Sequence, residues 1–281
     1  MRQAFGLGLL AALRRWPVVI VLFIANLAVG LCFTGAAWSW LSESLDNSLA
    51  SRTLLTDLDW NVFVDLVAHH GHSLHMLLAA GVVLAIPTLL LGIWLNAAAV
   101  VAVGEDGSLG DCLRRGLTLF PRFLRLSVLS NLLSAAGIGT AILVARWLTR
   151  WTADSTSELT FYVIVGTGTV LTAALLVFLV AVHDHARVRS TARGTGAVSA
   201  YIWALLFVTR REWRALPLAV LLLGTGFVLW VVYQTVGMLV ATNSSHGIVL
   251  SLAWGEGLLF ARMLLRVWSF AAATELQSLR Q

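Results

Sequence analysis

Residues 5–41, FGLGLLAALRRWPVVIVLFIANLAVGLCFTGAAWSWL, place a short helical stretch, two arginines and a proline ahead of a run, Trp16 to Leu41, that carries no charge. A run of this kind suits an α-helix crossing about 30 Å of hydrocarbon at about 1.5 Å per residue. It reads as a first membrane span, about 17–41, entered from a helix at the membrane surface. Five more apolar runs follow, at about 73–102, 124–147, 159–182, 216–240 and 247–270. The expected fold class is all-α: a polytopic membrane bundle of about six transmembrane helices with three cytoplasmic interfacial, or elbow, helices.

Composition points the same way. Of 281 residues, 59% are hydrophobic and 12% are charged, about half the charged share of an average soluble domain. All nineteen basic residues are Arg, and the sequence contains no Lys. A basic balance often signals nucleic acid, but these arginines sit in short turns between apolar runs, where topology accounts for them, so no nucleic-acid partner is expected. Cys32 falls in a span and Cys112 in a loop, so no disulfide is expected. The leading apolar run exceeds a signal-peptide core and lacks a clear small-residue cleavage pattern, so it is expected to remain as the first span.

Orientation follows from the arginines. Fourteen of them (Arg2, Arg14, Arg15, Arg114, Arg115, Arg122, Arg125, Arg187, Arg189, Arg193, Arg210, Arg211, Arg214 and Arg280) fall on one side of the six runs, opposite a side rich in Asp and Glu. The positive-inside rule makes the arginine-rich side cytoplasmic and puts both chain ends there. Residues 42–72 form the main segment on the other side, within which 59–69 is expected to make a short helix.

The lead-in to each odd-numbered span repeats a pattern. FGLGLLAALRRWP ends at Pro17, LGDCLRRGLTLFP at Pro121, and IWALLFVTRREWRALP at Pro217. Proline suits the first turn of a new helix because its missing N–H would be unpaired there anyway. Three tandem units are inferred, 1–103, 104–195 and 196–281, each an interfacial helix followed by a transmembrane hairpin. In the middle one, Ser108 caps with Asp111, and Leu109, Cys112, Leu113, Gly116, Leu117 and Phe120 share an apolar face opposite Arg114, Arg115 and Thr118. Such a helix is expected to lie among headgroups, its arginines toward phosphates. Arg14, Arg15, Arg114, Arg115, Arg210 and Arg211 are therefore the basic residues expected to face lipid or a partner.

Several residues carry possible chemistry. Glu256 sits mid-way along the last span, with Arg262 and Arg266 further toward the cytoplasm. An ionisable group at that depth is costly unless paired or hydrated; the alternative is a structural ion pair, or arginines snorkelling to the headgroups. Asn96 and Asn131 are expected to bridge helices by hydrogen bonds. In HDHAR, His183 and His185 diverge by about 200° on a helix and cannot share a metal from one face, so Asp184 is expected to pair with Arg187 as an interfacial anchor. His69, His70, His72 and His75 cluster at the outer mouth of span 2, where imidazoles bind Zn²⁺ or Cu²⁺, sense pH, or simply form a hydrated polar cap. Pro87 is expected to kink span 2. Small residues at Ser127, Ser130, Ser134, Gly137 and Ala141, and at Gly166, Gly168, Thr172 and Ala173, permit close helix approach. No nucleotide-binding loop, zinc-protease helix or nucleophile elbow occurs; neither an enzyme nor a cofactor is expected.

Arg14-Arg15-Trp16-Pro17, the NAAAVVAVG of 96–104, the step Asp184, Ala186, Arg187 and the closing Phe260, Arg262, Arg266 and Trp268 together resemble bacterial six-helix membrane proteins, including those similar to the membrane domain of glycerophosphodiester phosphodiesterases. The sequence departs at His185, where tyrosine is more usual, and in the histidine-rich turn. The resemblance implies a bacterial inner-membrane location and no catalytic residue, the phosphodiesterase site belonging to a separate soluble domain. Two functions are then open. One is a permease-like or accessory subunit that docks a protein partner, or another copy of itself, on its elbow helices. The other is a self-contained carrier for a small solute or lipid, using Glu256 and the Pro87-kinked span.

Overall fold

The computed structural model describes residues 2–45, 64, 71–151, 158–240 and 245–278. Regular structure there is helical throughout: α1 (Arg2–Arg14), α2 (Trp16–Leu45), α3 (Gly71–Gly104), α4 (Leu109–Trp151), α5 (Glu158–Arg193), α6 (Ala197–Leu206) with a π-helical turn (Phe207–Arg211), α7 (Ala215–Leu239) and α8 (Ser245–Ser278). Six of these, α2 to α5, α7 and α8, are long and apolar enough to cross a membrane. The chain is a multi-pass membrane protein in build. Pro17 and Pro217 lie in the first turns of α2 and α7, where a proline costs no intrahelical bond.

The third span differs from its reading. Instead of an interfacial helix that stops before Pro121, α4 is a single helix of 43 residues with Pro121 inside it, about twice the length a span requires. Two anchors hold the stretch before the proline helical. At its start Ser108 Oγ accepts from the Asp111 amide at 3.2 Å, the expected cap. Along its side, Trp94 Nε1 of α3 donates to the Leu113 carbonyl at 3.0 Å. Cys112 and Gly116 are buried and Leu113 is half-buried, but Leu117, placed on the same face by periodicity, is 61% exposed. The face that periodicity directs into the membrane surface thus packs, in its narrower form, on the end of α3.

The chain forms two compact units, residues 1–20 with 93–281, and residues 21–92. In the unit 21–92, Asn26 Nδ2 donates to the Leu22 carbonyl at 2.8 Å, and Phe33 lies 3.9 Å from the Cβ position of Gly81. There α3 runs through Pro87, and Thr88 Oγ1 donates to the Leu84 carbonyl at 2.7 Å.

In the larger unit the buried residues gather at the arginine-rich helix ends, in segments 4–19, 93–102, 112–130, 181–190, 200–222 and 267–277. Small side chains make this packing possible. A Cβ on Gly8 would come within 2.8 Å of the Ala272 backbone, and one on Gly116 within 2.8 Å of the Ala98 backbone; each glycine faces the middle of an alanine triplet, Ala271–Ala273 or Ala97–Ala99. Counting back from the three prolines, the residues five and nine places earlier (Ala12 and Gly8, Gly116 and Cys112, Glu212 and Val208) are all buried. The elbows thus present one repeated inner face.

α1 lies along the end of α8: Trp268 Nε1 donates to the Phe5 carbonyl at 2.8 Å, and the two rings sit 4.5 Å apart. The first and last helices therefore meet within the larger unit. α6 and its π turn pack on the end of α5 through His183 with Tyr201, 6.3 Å between rings, and His185 with Phe207, 5.1 Å. The π turn closes with the Glu212 amide donating to the Phe207 carbonyl at 2.8 Å.

Candidate functional site

The densest buried polar group among the described residues lies where α3, α5 and α8 meet. Three residues apart on α5, Asp184 and Arg187 stand on one face, one turn from each other. Their separation is 3.7 Å, and their side chains are 11% and 8% exposed. The pairing read from the sequence is therefore present, but it is shared. From α8, Arg266 Nη1 approaches Asp184 Oδ1 to 3.3 Å, and its Nε donates to Asn96 Oδ1 of α3 at 3.2 Å. Phe270, one turn beyond Arg266, offers its ring to both guanidiniums, 4.5 Å from Arg266 and 5.8 Å from Arg187. Asn96 does bridge two helices; its partner is a cation. Asn131 is exposed.

Around this group further side chains hold the helix end. Gln277 Nε2 donates to the His185 carbonyl and meets His185 Nδ1, both at 3.1 Å; with the amide as donor, Nδ1 is the ring nitrogen without a proton. His183 faces Tyr201, on another side of α5, as the two-residue spacing requires. Arg189 stacks over Trp203 at 4.4 Å. Among the described residues, no three of His, Cys, Asp and Glu stand where one metal ion would fit.

The other sequence candidates separate into distinct places. Arg15 donates to the Glu105 carbonyl at 3.0 Å and pairs with Asp106, while Arg115 pairs with Glu105. These two cations are thus partly engaged in tying the α1–α2 junction and the start of α4 to the α3–α4 turn. Arg14, Arg114 and Arg210 are exposed; the side chain of Arg211 lies outside the described residues. Glu256 of α8 is half-buried, and its Oε2 is enclosed without a hydrogen bond. Neither Arg262 nor Arg266 forms an ion pair with it among the described residues, Arg266 being drawn to Asp184 instead. His75 is exposed on the first turns of α3, whereas His69, His70, the side chain of His72 and, apart from Val64, the helix expected at 59–69 lie outside the described residues.

Sequence reasoning did not find Phe270 or Gln277 as partners of the α5 end, nor the two alanine triplets as docking floors. For Phe270 a signal existed, since an aromatic four residues after Arg266 shares its face. For Gln277 there was none, because its partner is 92 positions away.

No protein family, no curated protein and no solved structure matches the chain. Fold and site together define its class: a multi-pass α-helical membrane protein with a cation-rich buried cluster at one end of the bundle.

Proposed function

We propose that the protein is a non-enzymatic membrane subunit, permease-like or accessory, that joins a larger assembly in a bacterial inner membrane. In this reading its arginine-rich end and both termini are cytoplasmic, as the arginine asymmetry favours. One observation carries the proposal: the three elbow segments bury an equivalent inner face while Arg14, Arg114 and Arg210 on them stay exposed. Anchored helices presenting exposed cations suit the docking of an acidic partner surface, because charge complementarity steers the encounter and fixes its register. The sequence resemblance to six-helix bacterial membrane proteins, and the three tandem units inferred from the prolines, accord with this reading.

A second reading has its own observation. The enclosed Oε2 of Glu256, at mid-span, is the kind of group a carrier uses to bind a proton or a cationic solute. One experiment separates the two. The full chain is purified in a gentle detergent, and co-purifying protein is identified by mass spectrometry. A stoichiometric partner, or a defined homo-oligomer, that is lost when Arg14, Arg114 and Arg210 are all changed to Glu supports the subunit. A monomer without partner that exchanges solute in vesicles, and stops doing so as Glu256→Gln, establishes the carrier.

A further inference from the structure

We propose that Arg187 and Arg266, together with Asn96, form a binding site for a phosphate-type anion at the arginine-rich end of the bundle. The charges do not balance within the group: two guanidiniums share the single carboxylate of Asp184, at 3.7 and 3.3 Å. The group therefore carries one net positive charge, partly withdrawn from water, and that field favours an anion beside it. Donors are at hand. Arg187 is 93% buried, yet among the described residues its Nε and Nη1 make no hydrogen bond, Nη1 standing 3.7 Å from Asp184. Arg266 spends Nε on Asn96 and keeps 32% of its side chain exposed, which gives a ligand its way in.

The shape of the site selects the ligand. Guanidinium forks match the oxygen pairs of phosphate, and the Phe270 ring lies 4.5 Å from the Arg266 guanidinium and 5.8 Å from that of Arg187. Arg187 lies just past the apolar run of α5, and Asn96 two turns before the end of α3, near the depth at which a helix leaves hydrocarbon for headgroups. Phosphate is the anion concentrated at that level. It can be supplied by an anionic lipid or by free inorganic phosphate, and the site chemistry is the same for both. Asp184 acts as an internal competitor, occupying part of the cation field until the anion arrives.

The test uses the full chain, stripped of lipid in neutral detergent. Inorganic phosphate is titrated while thermal unfolding is followed. In parallel, the protein is placed in nanodiscs of phosphatidylcholine with or without phosphatidylglycerol, and retained lipid is read by native mass spectrometry. Stabilisation by phosphate alone assigns a free anion, retention of phosphatidylglycerol alone assigns a lipid headgroup, and both together assign a site for either. Arg266→Gln is expected to weaken binding about tenfold or more, the size of one charge-assisted hydrogen bond. Asp184→Asn removes the competitor; it is expected to unfold at lower temperature without anion, to bind more tightly, and to regain the lost stability when anion is added. The proposal is overturned if neither probe stabilises or is retained by the unaltered protein, or if both variants bind as it does. Should Arg266→Gln fail to fold, Asp184→Asn and Arg266→Lys decide: unchanged binding in both overturns the site equally.

Discussion

At Gly8 and Gly116 a single added carbon would meet main-chain atoms 2.8 Å away, and those atoms belong to helices that cannot yield locally. Gly6, two places from Gly8, has open space at its Cβ position. The pair gives a controlled comparison. Gly8→Val and Gly116→Val should destabilise the protein by about 1–3 kcal/mol through overpacking, read as a lowered midpoint in a detergent thermal-unfolding assay. Gly6→Val should leave that midpoint nearly unchanged. If the two classes behave alike, the elbows are not seated as described. Both glycines stood in the sequence within a repeated lead-in, so the pattern was visible; which glycine carried the contact was not, because the alanine triplet each meets lies on another helix, and for Gly8 at the opposite end of the sequence.

At the scale of elements, α4 shows what a single periodic pattern can conceal. Proline at 121 has the look of a helix start, as at 17 and 217, but the preceding twelve residues are capped by Ser108 and held on α3 through Trp94 and Gly116. With the helix imposed from both sides, the proline removes one hydrogen bond without ending the helix. Pro121→Ala is therefore expected to restore the bond to the Leu117 carbonyl and to keep or raise thermal stability, with slower amide exchange in the turn after it. A fall in stability would mean that the proline is needed to separate two helices, as its sequence context suggests. Elsewhere elements follow their reading closely: α2, α7 and α8 begin within two residues of the expected starts, since a long, predominantly apolar run in lipid must satisfy its backbone as a helix.

At the scale of the whole molecule, the packing of α1 on the end of α8 joins segments from opposite ends of the sequence. Trp268 Nε1 donates to the Phe5 carbonyl and so ties the first helix to the last. Single cysteines at Gln3 and Ser278, in a background without Cys32 and Cys112, should both react with an impermeant maleimide only when inside-out vesicles expose the cytoplasmic face. Labelling of the two from opposite faces would refute an even number of crossings and, with it, the packing of α1 on α8.

The sequence by itself determined the class of the protein, the number of helices able to span a membrane, the placement of most helix starts, and the Asp184–Arg187 pair. These are properties of local hydrophobicity, helical spacing and cap chemistry, which act over a few residues and leave their period in the chain. Tertiary structure alone decided that Arg266 turns from Glu256 to Asp184 and Asn96, that Gln277 holds His185, and that α4 passes through its proline. Each of these is a choice among partners separated by tens to well over a hundred residues, and such a choice is made only when the helices have docked and burial has fixed which charges face one another.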